Sequence, residues 1–338
     1  MYDILFDFSS SPVGGGLRRV EAYAEYFSHS PLKIHFFIHE EARNRNRIQQ
    51  LVPTTLVHKT SISKLSLSKD YLKKFDASAK WLFSYGIPTT RGYAEKNWLH
   101  ISNVLPFSLF KATLSPSLFL KMYILRQQYK INFLNNDIIS AESNFSIQMY
   151  ISVTGWKGLY LLLRNGVNVT LPAFESIKQK YAIAVGTHSY KRIDLTYKLF
   201  QKLKDDLGLN KLLILGNPAQ IPKLIRRALD VEIRDFMPDD ELVRTLKTAS
   251  YFISTSEVEN SSCAVQEGLQ FTKKAILSNI PSHQEMLQKN AECLTRYKGM
   301  DYLIVDQSDL SVESMADWTN EMGKMLMYMG FTDNKVGA

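Results

Sequence analysis

What most limits the fold is a repeated alternation: short apolar runs of strand length recur along the chain, each followed by a loop and then by apolar residues at helical spacing. Tyr2–Phe8 is one such run. It gives way to serines and to Gly14, Gly15 and Gly16, after which Leu17, Val20, Ala24 and Phe27 mark one face of a helix. Residues 33–39, 80–85 and 98–102 read as strands, 116–128 as a long helix, 138–141 as a strand and 145–154 as a helix. The turn-rich segment NGVNVTLPAFE interrupts the pattern, which then restarts. Strands are expected at 181–185, 211–215, 231–234, 250–254 and 275–278, with helices at 195–207, 221–229, 239–248 and 264–270 between them. Such alternation demands a parallel sheet covered by helices, so two doubly wound α/β domains in series are expected. They would span 1–174 and 175–311, followed at 312–338 by a helix (312–329) and tail able to pack back on the N-terminal domain.

At 338 residues and 45% hydrophobic, the chain has ample core for two domains, which excludes disordered and collagen-like classes. Cys263 and Cys293 are the only cysteines, too few for a disulfide framework or a four-cysteine zinc site, and a reducing cytoplasm is the expected compartment. The N-terminus lacks the basic-then-apolar plan of a secretory signal, and no run reaches the roughly 18 apolar residues of a membrane span.

The net charge of +8 is unevenly distributed: residues 1–174 carry +9 and residues 175–338 carry −1. A one-sided positive field attracts an anionic partner, whether nucleic acid, an acidic membrane surface or a phosphorylated lipid. Within 59–83, Lys59, Lys64, Lys69, Lys73, Lys74 and Lys80 interleave with Leu65, Leu67, Tyr71, Leu72, Phe75 and Trp81. That mixture suits the edge of an anionic bilayer, and it equally suits a solvated face over an ordinary core stripe.

The most specific chemical signal is SEVENSSCAVQEGLQF, where Glu259 and Glu267 are separated by seven residues, E-x7-E. Glu259 follows the strand YFIST, and the small residues Ser261, Ser262, Cys263 and Ala264 open the next helix, which carries Glu267. Ligands of open α/β sheets bind at such strand carboxyl ends, where free N–H groups and the helix dipole favour phosphate, and a carboxylate accepts hydrogen bonds from sugar hydroxyls. From spacing alone, a solvated loop acid and a helix-start acid explain the pair equally well.

The whole segment resembles the donor-binding motif of retaining GT-B glycosyltransferases of the family 4 type. ASYFISTSEVEN, SSCAVQEGLQF and KKAILSN follow that motif in order. Upstream, YAIAVGTHSYKRIDLTYKLFQKL, LLILGNP and DFMPDDELVRTLKTA resemble its preceding units, and downstream IPSHQEML resembles its strand-following loop. In the N-terminal half, SSPVGGGLRRVEAYAEYF and ISNVLPF match more loosely. The resemblance implies a GT-B fold, two Rossmann-like domains facing each other across a cleft, and sugar transfer from a nucleotide diphosphate sugar with retention of configuration.

Carried over by position, Glu267 would hold the donor ribose, Glu259 the donor sugar, and Lys191 with Arg192 the diphosphate as charge develops on the leaving group. Gly186 and the helix-opening Ser261, Ser262, Cys263 and Ala264 would also line the donor, and Gly15 and Gly16 would let backbone approach phosphate and acceptor. Two departures stand out: Thr187 occupies the place of the usual Arg, so that His188 is an alternative phosphate contact, and Asn260 follows Glu259 where relatives often have Gly. His100 is the N-terminal candidate for touching the donor sugar; a shift of one or two residues would give that role to Ser102 or Asn103, and a half-buried strand histidine fits as well.

There is no Asp-x-Asp, no G-x-G-x-x-G after the first strand, no P-loop and no G-x-S-x-G. No metal is therefore expected, and His35 and His39, spaced like ligands but lacking partners, are read as structural. Similar to bacterial O-antigen and lipopolysaccharide glycosyltransferases, the chain is expected to act at the inner face of the cytoplasmic membrane on a lipid-linked saccharide, without nucleic acid as partner. Alternatives are a sugar-nucleotide epimerase of the same fold and a non-catalytic saccharide- or nucleotide-binding subunit.

Overall fold

The computed structural model describes all residues except 13, 59–69, 76–77, 167–177, 236, 288–292, 298–299, 310–316 and 332–338. The chain divides into two compact units, one formed by 1–109, 116–166 and 316–338, the other by 110–115 and 167–315. The boundary expected at 174/175 falls outside the described residues.

Unit 1 is a seven-stranded sheet built from β1 (Tyr2–Phe8), β2 (Ile34–His39), β3 (Thr54–Val57), β4 (Ala79–Tyr85), β5 (Ala94–Ile101), β6 (Ile138–Ala141) and β7 (Leu159–Leu162). Their order is β3-β2-β1-β4-β5-β6-β7, and every pairing is parallel. Its helices are α1 (Gly14–Phe27), α2 (Arg45–Leu51), α3 (Asp70–Lys74), α4 (Pro116–Asn132) and α5 (Asn144–Thr154). The core is aromatic: Phe6, Phe8, Tyr23, Phe36, Phe83 and Trp98 are fully buried, as a parallel sheet covered on both faces requires.

Unit 2 contains β8 (Gln179–Val185), α6 (Ile193–Leu203), β9 (Lys211–Leu215), α7 (Lys223–Arg226), β10 (Val231–Arg234), α8 (Asp239–Thr248) and β11 (Ala249–Ser254). α9 (Cys263–Thr272), β12 (Lys274–Ser278), α10 (Pro281–Gln284), β13 (Cys293–Tyr297) and β14 (Met300–Asp306) follow. The strand order is β10-β9-β8-β11-β12-β14-β13. The first five are parallel, whereas β14 and β13 add antiparallel to the β12 side, an extension that the sequence did not announce. The helix expected over 221–229 contracts to the single turn of α7.

The last helix, α11 (Trp318–Tyr328), belongs to unit 1; the expected residues 312–316 lie outside the described ones. Trp318, Met322, Met325 and Leu326 are buried in the same cluster as Phe6 and Tyr23. Arg19 of α1 ties this corner together. Fully buried, it donates to Tyr23 Oη at 3.1 Å and Asn165 Oδ1 at 3.0 Å, and its guanidinium lies 4.9 Å from the Trp318 ring centroid. Glu142 stands 3.6 Å away to balance its charge.

Of the two readings open for 59–83, the described apolar side chains follow the core stripe. Leu72, Trp81 and Phe83 are buried, Phe75 packs tilted against His35 with ring centroids 4.3 Å apart, and Tyr71 donates to the buried Asp7 at 2.8 Å. Lys73 and Lys74 are exposed on α3, and Lys80 pairs with Asp3 at 2.8 Å. Lys59, Lys64, Leu65, Leu67 and Lys69 lie outside the described residues. His35 and His39 are also core residues: His35 Nε2 bonds Thr55 Oγ1 at 2.8 Å, and His39 Nδ1 accepts the Glu41 N–H at 3.1 Å.

Candidate donor site in unit 2

Strand order reverses between β8 and β11, which lie side by side, so their carboxyl ends open a crevice where the two following loops diverge. β8 is followed by Gly186, whose φ of +93° an L side chain rarely adopts, and the chain then runs through Ser189–Lys191 into α6. β11 ends at Ser254 and leads through Glu257 and Glu259 to α9, which Ser262 caps by accepting the Val265 N–H. Gly268 lets α9 press on β11, since a Cβ there would come within 2.4 Å of the Phe252 ring.

The two loops are laced together. Glu257 N–H donates to Tyr190 O at 2.9 Å, and Thr255 Oγ1 lies 3.0 Å from Lys191 O and 2.9 Å from Arg192 O. At the centre, Lys191 Nζ forms an ion pair with Glu259 Oε1, which also accepts the Ser256 hydroxyl at 2.6 Å. Burial alone would raise the Glu259 carboxyl, but Lys191 and the two hydrogen bonds outweigh it and hold it below the ordinary value. Burial likewise pulls Lys191 down, and Glu259 more than reverses the effect, so both partners are charged at neutral pH.

Arg192 is held elsewhere. With φ of +52° it is locked at the start of α6, gripping Asp194 through Nε and Nη2 at 2.9 and 3.0 Å and pairing with Glu257 through Nη1. Thr187, in the place expected of an Arg, is buried and donates to Gln220 Oε1 at 2.9 Å. His188 is exposed beside Tyr190, 5.8 Å between ring centroids. Ser261, Cys263, Ala264 and Glu267 are all half-exposed around the start of α9, with Ser262 buried.

The sequence did not single out His283. It is fully buried on α10, next along the same sheet edge after β12, and Nδ1 sits 2.8 Å from Ser278 O. That contact places the proton on Nδ1 and leaves Nε2 a lone-pair acceptor with no hydrogen-bond partner among the described residues. Burial holds the ring neutral, the attraction of Glu259 notwithstanding. Ser278 Oγ donates to Ser256 O at 2.6 Å, and Ser256 in turn holds Glu259, so His283 is joined to the ion pair through two serines. IPSHQEML following a strand was the available signal, since it puts a histidine at the same carboxyl edge.

The remaining candidates lie in unit 1. His100 is fully buried near the end of β5, stacked 5.2 Å from Tyr85, with Nδ1 2.8 Å from Ser140 Oγ and Nε2 3.6 Å from Glu142. Burial and the nearby Arg19 keep it neutral. Ser102 and Asn103, just beyond the strand, are half-exposed instead. Gly15 is exposed in the first turn of α1, whereas Gly16 abuts Ser11 and Tyr85 too closely to admit a Cβ. No group of three or more His, Cys, Asp or Glu able to hold a metal occurs among the described residues.

Residues 172–316 match the family model of the glycosyl transferases group 1, which covers the whole crevice just described. No curated protein matches the sequence. Among solved structures, HepE of Anabaena in complex with UDP and glucose is similar at a TM-score of 0.61 and 13% identity, over 86% of this chain and 84% of that one. A glycosyltransferase of Rickettsia africae gives 0.58 and 15% over 86% and 82%. Sucrose-phosphate synthase of Thermosynechococcus elongatus gives 0.61 and 12% over 99% and 92%. At these identities the likeness bears on fold. Two parallel-sheet α/β units and a group 1 match over the second together support a glycosyltransferase of GT-B fold.

Proposed function

We propose that the chain is a retaining glycosyltransferase of the family 4 type, moving a sugar from a nucleotide diphosphate donor to a lipid-linked, lipopolysaccharide-type saccharide without a metal. The observation that carries the donor reading is the buried Lys191–Glu259 pair at the reversal of strand order, next to the N-terminus of α9. A diphosphate arriving there competes with Glu259 for Lys191. Once Lys191 turns to the phosphates, Glu259 is released to accept hydrogen bonds from the sugar hydroxyls, with Ser256 still orienting it. Glu267, in the second turn of α9, would hold the ribose diol.

As the glycosidic bond breaks, negative charge grows on the departing diphosphate, where Lys191 and the α9 N–H groups stabilise it. The acceptor hydroxyl attacks from the same face, its proton passing to a phosphate oxygen, so no side-chain base is needed. Arg192 serves by fixing the loop through Asp194 and Glu257, and it joins the phosphates only by leaving one of them. The positive balance of residues 1–174 suits an acceptor carried on an anionic membrane surface at the cytoplasmic face.

The test is a thermal-shift screen of UDP, GDP, dTDP and CMP, with UDP and UDP-glucose first because HepE was solved with UDP and glucose. A ligand that binds only the folded chain stabilises it by about 2.7 kcal/mol at a hundred times its Kd. One nucleoside diphosphate should raise the melting temperature of the parent and not of Lys191→Ala. No shift with any of them refutes the donor site.

A further inference from the structure

Helix α4 of unit 1 is apolar on two opposite sides. Met122, Leu125 and Tyr129 are buried against the unit, as one stripe of a surface helix should be. At 3.6 residues per turn, Leu120, Tyr123 and Ile131 fall on the side opposite, and there they are 59, 45 and 76% exposed. Leu134, just past the helix, adds another apolar side chain at 64%. Gln127 falls among them on the same side, yet four large apolar side chains exposed together at one helix face and its end are more than singly scattered ones, and such grouping marks a contact site.

The charges around the stripe say what covers it. No Asp or Glu occurs from 96 to 136, while Lys121, Arg126 and Lys130 flank the exposed side chains. A second copy of this chain would set these cations against their own images across a twofold axis, which repels. An anionic bilayer meets both requirements, its acyl boundary receiving Leu120, Tyr123 and Ile131 while its headgroups pair with the cations.

We infer that the outer face of α4 is the surface by which the chain lies on an anionic lipid bilayer. The inference rests on the membrane-carried acceptor proposed above, and moves the contact away from residues 59–83, whose described apolar side chains are largely committed to the core.

The experiment is co-sedimentation of the full chain with vesicles of neutral lipid, with and without an added anionic lipid. Compared are the parent, Leu120→Ser with Ile131→Ser, Lys121→Glu with Lys130→Glu, and Lys73→Glu with Lys74→Glu, each with its folding checked by circular dichroism. The parent should sediment with anionic vesicles only, both α4 variants should bind at least tenfold less, and the α3 variant should keep most of its binding. If the α4 variants sediment like the parent while the α3 variant is lost, the inference falls and the membrane reading stands. If the parent binds no vesicle, both fall, and the nucleotide screen still judges the donor site by itself. Light scattering adds a further arm: should the α4 variants break up an oligomer without affecting vesicle binding, the stripe joins copies of the chain and the inference is wrong.

Discussion

Replacing Lys191 by Met removes one half of a buried pair and leaves the Glu259 carboxylate, among the described residues, with the Ser256 hydroxyl as its side-chain hydrogen-bond donor. Stranding a buried charge in this way costs about 3 to 5 kcal/mol. For a unit of this size each kcal/mol is worth roughly 2 to 4 °C, so the melting temperature of unit 2 should fall by about 6 to 20 °C at pH 8. The pH dependence gives the loss a signature. In the parent, the Glu259 carboxyl lies below its ordinary value, so the pair's contribution is fully present above the unfolded carboxylate range and disappears as pH falls through the lowered value. In the variant the cation is gone and burial dominates, raising the carboxyl. The folded chain then binds the extra proton, and the penalty is relieved as pH falls through the raised value. The stability gap between parent and variant should therefore narrow from pH 8 to pH 5. Adding Glu259→Gln should recover most of the loss, since neither partner then carries a charge. Thermal and urea unfolding of the four members of this cycle across that pH range make the measurement. A gap that is constant with pH and is not recovered by the second substitution refutes the buried pair as described.

Glu267→Ala should leave the melting temperature nearly unchanged and weaken nucleotide binding about tenfold or more in calorimetry, a charge-assisted hydrogen bond being worth roughly 1.5 to 3 kcal/mol; equal affinity rules out the ribose contact. Transfer should persist in excess EDTA, and loss restored by magnesium or manganese would overturn the metal-free proposal. Nitrogen NMR of His283 should show a neutral ring protonated at Nδ1 through pH 6.5, because burial lowers its affinity for a second proton; an imidazolium there contradicts the site electrostatics. Trp318→Ala should cost about 3 to 5 kcal/mol in chemical unfolding, since it empties a buried indole and uncovers Arg19; no change would place α11 outside the core.

The parallel strands were legible because a strand buried on both faces is a continuous apolar run, and ILFDF, LLIL and IIS bear that mark without help from neighbours. The limits of 138–141 and 211–215 agree with β6 and β9 to the residue. Thr54–Val57 and Leu159–Leu162 escaped because they are outer strands of four residues whose partly exposed side chains give little periodic contrast. MDYLIVD reads as a strand once seen, but an expectation of continued strand–helix alternation left no place for an antiparallel pair. IPKLIRRAL has helical spacing, yet α7 is one turn long and the chain turns through Ala228 into β10. Glu259 was singled out by spacing and Lys191 by resemblance, and the structure joins the two in an ion pair. IPSHQEML carried His283 past a strand end, but the residue was not singled out because its meaning lies in a serine relay that only the folded sheet edge assembles. His100 shows the converse: the strand end was located correctly, but in a pleated strand one residue decides between core and solvent, and the ring went inward.

Unit 1 is closed by residues that the ribosome delivers only after the whole of unit 2. Phe6, Phe8 and Tyr23 precede the sheet of unit 2 in the chain, while Trp318, Met322, Met325 and Leu326, buried in the same cluster, follow all of it. During synthesis unit 2 can therefore finish before the unit that was begun first, and the aromatic layer of unit 1 waits with one side uncovered. Termination after residue 315, where unit 2 ends, and before Trp318 would release a chain in which unit 2 is complete while the aromatic cluster of unit 1 lacks its cover. Quality control should see such fragments through their N-terminal half, the part that had left the ribosome longest.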